Sequence, residues 1–172
     1  MKRKKILELH KQHGNNNKYK IVYNNIELYS DKCGVWMMYD NHNQLLEVAQ
    51  AADIFQELKH DLSLILKTYS NQMNFPKKYT ARRLFDFNQT FSVLSCDQDR
   101  RAAKYRTIVE KSETIVVYIV LDDLATSRNK EEREEIEMKI AINNRALYWN
   151  AYGKQRRLAK EYYKKIRNRV CR

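Results

Sequence analysis

One proline, Pro76, and three glycines are all that break up 172 residues. So few breakers exclude a collagen-like or linker-rich chain and predict long regular elements with few irregular loops. Three isolated glycines also cannot form a glycine-rich phosphate loop. Cysteine is scarce as well: Cys33, Cys96 and Cys171 are odd in number and far apart, which fits reduced thiols in a reducing compartment better than a disulfide framework. No apolar run approaches the roughly eighteen residues of a membrane span. The basic start is followed by Ile6-Leu7-Glu8-Leu9-His10, which lacks a signal peptide's apolar stretch. These absences predict an intracellular, cytoplasmic protein that is not secreted and has no membrane partner. No Cys or carboxylate pair stands at zinc spacing beside His10 and His13, and His42 and His60 have no Ser or Cys partner that sequence can nominate. No metal or other cofactor is expected.

Charge is abundant by contrast, and unevenly placed. Of a formal net charge of +12, residues 154–172 carry nine Lys or Arg against one Glu, and residues 1–20 carry seven against one. Like charges crowded into two short stretches repel each other, and a polyanionic partner is the simplest reason for them to persist. Hydrophobic residues at 43% exclude a fully disordered chain. The length suits one domain. Fifteen Asn, with many Lys, Ile and Tyr, suggest an AT-rich coding genome of the kind common in bacteriophages and mobile elements.

The predicted fold class is α+β, a single domain over residues 1–172. Residues 2–13 read as a short basic helix. Residues 14–75 form a β-meander with a packed helix: strand-length segments at 19–23, 26–30, 35–39 and 44–48 are separated by good turn sequences and predict four antiparallel strands. The turn lengths set Tyr39 opposite Gln44. One face then collects Tyr19, Ile21, Tyr23, Ile26, Leu28, Val35, Met37, Tyr39, Leu46 and Val48, while Tyr29, Trp36, Met38 and Leu45 fall on a mixed face. A helix at 52–69, with Ile54, Leu58, Leu62, Ile65, Leu66 and Tyr69 on one side, should cover the core face.

Residues 76–126 read as a second, small α/β unit, with a strand at 89–95, a helix at 97–111 and an apolar strand at 114–121, continuous enough to lie centrally in a sheet. Residues 127–172 are helical and basic from 154, starting near Ser127 or Asn129. Ile136, Ile140, Leu147, Ala151, Leu158 and Tyr162 recur at spacings of 4, 7, 4, 7 and 4. As one rod this helix would reach roughly 63 Å, against a radius of gyration of about 16 Å for a compact domain of this length. The C-terminal helix is therefore either long, projecting as an arm, or broken near Asn150 and Gly153 with a return as a hairpin, and the break is the preferred reading. The same stripe would also suit a dimer.

On a helical wheel Arg156, Arg157, Lys160, Lys164 and Arg167 share an arc of about 100°. Cations in a row displace counterions along a phosphate backbone. These five, with Lys2, Arg3, Lys4 and Lys5, are the candidate nucleic-acid contacts, and Arg100 and Lys104 on the 97–111 helix come second. Tyr29, Trp36 and Met38 beside Lys20 could form a base-stacking platform, but a sheet covered by the second unit is the preferred reading. The expected function is a non-enzymatic nucleic-acid-binding accessory protein, with RNA favoured over duplex DNA because no helix-turn-helix or zinc finger is evident. One alternative is a small inhibitor or accessory factor, of phage or mobile-element type, that docks on a nucleic-acid-handling enzyme or ribonucleoprotein. A second is a nuclease, either of a metal-independent toxin type or using Asp97, Asp99, Asp122 and Asp123 to hold a metal.

Overall fold

Val35, Trp36, Met37 and Met38 are consecutive and all buried, which requires a strand covered on both faces. That strand lies near the middle of an α+β fold. The computed structural model describes residues 3–7, 20–21, 26–69, 104–105, 108, 112, 114–120, 122–149, 151 and 153–170. Within them the strands are β1 (Arg3–Leu7), β2 (Lys20–Ile21), β3 (Gly34–Asp40), β4 (Leu45–Ala51) and β5 (Thr114–Val120). Three helices longer than a turn accompany them: α1 (Ile54–Tyr69), α2 (Lys130–Asn143) and α3 (Gly153–Val170).

The sheet order is β1-β5-β3-β4, antiparallel throughout, with β2 adding a two-residue parallel pairing to β5. β5 is central, as its apolar run predicts. The expected four-stranded meander does not form. Residues Ile26–Tyr29 are a 3-10 helix, and the second neighbour of β3 is β5, with Trp36 opposite Ile119 and Asp40 opposite Ile115. A strand buried on both faces gains most from a neighbour that is equally apolar. Ile115, Val117, Ile119 and Val120 supply this, whereas Leu28 remains 63% exposed in its 3-10 turn. The basic helix expected at residues 2–13 gives way to β1 at Arg3–Leu7. Few apolar residues hold so short a helix, while the free edge of β5 offers backbone partners.

The β3–β4 hairpin forms in a shifted register. Met38 faces Glu47, and an irregularity then sets Tyr39 opposite Leu45 rather than Gln44. Asn43 has φ 59°, and the Asp40 carboxylate accepts from the N–H groups of His42 and Gln44, both at 2.8 Å.

Helix α1 covers the face of Trp36, Met38 and Leu46, where Ile54, Leu58, Leu62 and Ile65 join Ile115, Val117 and Ile119. Trp36 and Met38 belong to the predicted mixed face, so the 52–69 helix lies on the side opposite to the one predicted. Leu46, predicted on the core face, joins them and Leu45 takes the other side, as the irregularity in the hairpin register exchanges the two. Asp53 opens α1 by accepting from Gln56 N–H at 3.0 Å. Gly34 lets α1 approach, since a Cβ there would stand 2.6 Å from Ile54 Cδ1. The other face, with Val35, Met37, Leu45 and Val48, is covered by α2, α3 and the segment between them through Met138, Ile140, Ala141, Trp149 and Ala159.

Asn129 caps α2, its side chain accepting from Glu131 N–H at 2.9 Å. The helix ends earlier than expected. Ala146 N–H reaches Ala141 O at 2.8 Å and Arg145 N–H reaches Ile142 O at 3.3 Å, with Arg145 at φ 52°. This pair of bonds is a Schellman stop. The connecting segment then runs back along the edge of β4, where Leu147 and Tyr148 donate to Leu45 O and Leu46 O. Helix α3 starts again beside the beginning of α2: Gln155 Nε2 reaches Glu134 O at 3.2 Å, and further along Tyr162 Oη meets Asn143 Oδ1 at 3.3 Å. The two helices are therefore parallel, and the expected hairpin is replaced by a crossover.

The expected strand at 89–95 and the Pro76 boundary lie outside the described residues. Of the helix expected at 97–111, Lys104, Tyr105 and Ile108 are described, and all three are helical.

Candidate nucleic-acid interface

Helix α3 sorts its residues by side. Ala159 is buried, and Tyr162, Tyr163 and Ile166 pack against the α2 side of the core. Arg157, Lys160, Lys164 and Arg167 are exposed, as are Lys154 and Lys165. With 100° per residue, the four aligned cations fall on the side turned away from those apolar contacts. Arg157 Nε stands 4.0 Å from Glu161 Oε1, one turn on, an exposed pairing too weak to neutralise the row. Arg156, expected in the same row, is half-buried. Leu158, expected in the apolar stripe, is 40% exposed, and Ala159 takes the buried place. A stripe extrapolated through one continuous helix loses phase when the helix stops and restarts.

The other candidates divide. Arg3, Lys4 and Lys5 lie in β1, opposite Val120, Ile119 and Tyr118 of β5. Lys2 and Arg100 lie outside the described residues. Lys104 is withdrawn from the phosphate contacts, because it is buried, ion-paired with Glu47 and 4.7 Å from the centroid of the Tyr105 ring. Counting cations on a helix cannot reveal this; the signal available was Glu47, an acidic residue on a strand whose neighbours are apolar.

Trp36 and Met38 are fully buried beneath α1, so the stacking platform does not exist on that face. Asp122 is a turn residue whose Oδ1 accepts from Leu124 N–H at 3.0 Å, and Asp123 is exposed beside it. Asp97 and Asp99 lie outside the described residues. Among the described residues no three His, Cys, Asp or Glu side chains converge to a metal-sized group. None of their helices is long and apolar enough to cross a membrane.

Two further charged residues went unnoticed in the sequence because they sit within the acidic start of α2. Arg133 is buried, with Nε 3.0 Å from Gln50 Oε1 and Nη1 2.7 Å from Ser127 O. Glu137 is buried beneath the crossover and accepts from Trp149 Nε1 at 2.7 Å and from Gln155 Nε2 at 3.4 Å. Desolvation pushes its carboxyl up to about 8, opposed by those two hydrogen bonds and assisted by the negative charges of Glu134 and Glu47. The cationic helix is thus fixed to α2 through a carboxyl group that burial keeps protonated at neutral pH.

Comparison with known proteins finds no matching family model, no matching curated protein and no matching solved structure.

Proposed function

We propose that the protein binds nucleic acid, without catalysis, through the exposed cationic row of α3. The observation that supports this is the separation of sides on one helix. Ala159, Tyr162, Tyr163 and Ile166 hold α3 to the body while Arg157, Lys160, Lys164 and Arg167 remain exposed. Four cations carried about one turn apart on a docked helix lose less ordering entropy on contact with a phosphate backbone than cations on a flexible segment would. RNA, free or within a nucleoprotein, is favoured over duplex DNA. The row reads charge rather than base edges, so binding is expected to be largely independent of sequence.

The test is fluorescence anisotropy with labelled single-stranded RNA, duplex RNA and duplex DNA at about 50 and 200 mM salt. The intact chain is compared with the quadruple variant Arg157→Gln, Lys160→Gln, Lys164→Gln, Arg167→Gln. Neutralisation is preferable to truncating α3, which would strip Ala159, Tyr162 and Ile166 from the core. Binding by the intact chain should weaken steeply with salt, and the variant should show a log–log slope smaller by about 3 units if all four cations contact phosphate. A folded chain that binds none of the three probes overturns the reading and turns attention to an acidic protein partner.

A further inference from the structure

Helices α2 and α3 leave a groove between them, lined by Glu131, Glu134, Glu135, Met138 and Lys139 on one wall and Lys154, Leu158, Glu161, Tyr162 and Lys165 on the other. Its volume is ≈ 360 Å³. Most of these wall residues are exposed, while Met138 is buried and Tyr162 half-buried at the base. Leu158 rises from the α3 wall at 40% exposure. We propose that a second copy of the chain docks on this groove, forming a two-fold dimer in which the α2 wall of each copy faces the α3 wall of the other.

Charge selects that occupant. The α2 wall carries Glu131, Glu134 and Glu135 against Lys139, and the α3 wall carries Lys154 and Lys165 against Glu161, so the walls are net negative and net positive. A two-fold axis running along parallel helices places each α2 against the partner's α3. Opposite walls then meet at the same height, because Lys154 already lies beside Glu131, at 3.8 Å, within one copy. A two-fold axis running across the helices would set each wall against its own kind, which like-charge repulsion disfavours. The chosen arrangement closes after two copies and covers Leu158. It also leaves the cationic row outside the contact, because Arg157, Lys160, Lys164 and Arg167 centre about 120° around α3 from the groove-lining side. The inference therefore stands independently of nucleic-acid binding.

Sedimentation velocity of the full chain, at up to about 100 µM, tests it. The expected species has twice the 20.8 kDa chain mass. Leu158→Glu, at an exposed position, should weaken association at least tenfold with unchanged circular dichroism. Two charge-reversed chains supply the second arm: Glu134→Lys with Glu135→Lys, and Lys154→Glu with Lys165→Glu. Each alone sets like charge against like and should be monomeric. Their mixture should restore the dimer, since one contact is doubly reversed and the other is native. A monomeric wild-type chain, a dimer indifferent to Leu158→Glu, or a mixture no heavier than its separate components would overturn the proposal.

Discussion

Glu137 accepts the indole N–H of Trp149 at 2.7 Å, and both side chains are buried where the chain crosses from α2 back to the start of α3. The contact joins the last core residues before α3 to the middle of α2. It does so with a carboxyl group whose ordinary value of 4.5 has risen to about 8.

From this follows a pH dependence of stability. Between about pH 4.5 and 8 the folded state holds a proton at Glu137 that the unfolded chain has released. Stability attributable to this group therefore falls as pH rises through that window, by up to about 1.4 kcal/mol per unit, and levels off above it. Glu137→Gln keeps an acceptor for Trp149 and has no proton to lose. Urea melts at pH 6 and 8.5 should show a smaller difference between the two conditions for the variant, which should also be the more stable protein at the higher pH.

Arg145 occupies the left-handed region at φ 52° at the end of α2. A side chain there costs about 1 kcal/mol relative to glycine. Arg145→Gly should raise the unfolding free energy by about that amount, and a denaturation midpoint that moves down instead would contradict the assigned backbone geometry.

Lys104 and Glu47 form a buried ion pair. Lys104→Met removes a paired cation from beside a buried carboxylate and should cost about 3–5 kcal/mol. Adding Glu47→Gln should recover a large part of that loss, an interaction a double-mutant cycle measures directly.

The two tryptophans, Trp36 and Trp149, are both buried. Intrinsic emission should be blue-shifted and resistant to acrylamide. It should also change little when nucleic acid binds, because neither indole is available for stacking on a base. Strong quenching by RNA would place the contact elsewhere than on the α3 row.

Much of the fold was legible in local pattern. The strands at 35–39, 44–48 and 114–121 stood out as apolar runs between turn residues, and the α1 stripe through Ile54, Leu58, Leu62 and Ile65 was a clear helical period. The 26–30 segment misled because Ile26, Leu28 and the hairpin-like Asn24-Asn25 imitate a strand. Its fate was decided by competition from β5, far away in sequence. The end of α2 was obscured because no glycine marks it. Asn144 is the C-cap and Arg145 the left-handed residue, so the helical period was carried on to Leu158, which is exposed. At the candidate site, four of the five α3 cations were correctly read as exposed, since a charge row on an amphipathic helix is a local property. Lys104 was misread because its burial depends on Glu47, 57 residues away.

The strand order β1-β5-β3-β4 carries a consequence for how the chain folds. The β3–β4 hairpin and α1 are contiguous and can assemble early. Strand β5 is the last of the described strands to be synthesised, yet it belongs between β1 and β3. Until about fifty residues beyond α1 have emerged, the apolar edge of β3 stands open, and closing it requires contacts of high sequence separation. Refolding should be slow for a protein of this size, and the nascent chain is the stage at which unpaired edges are most exposed to aggregation.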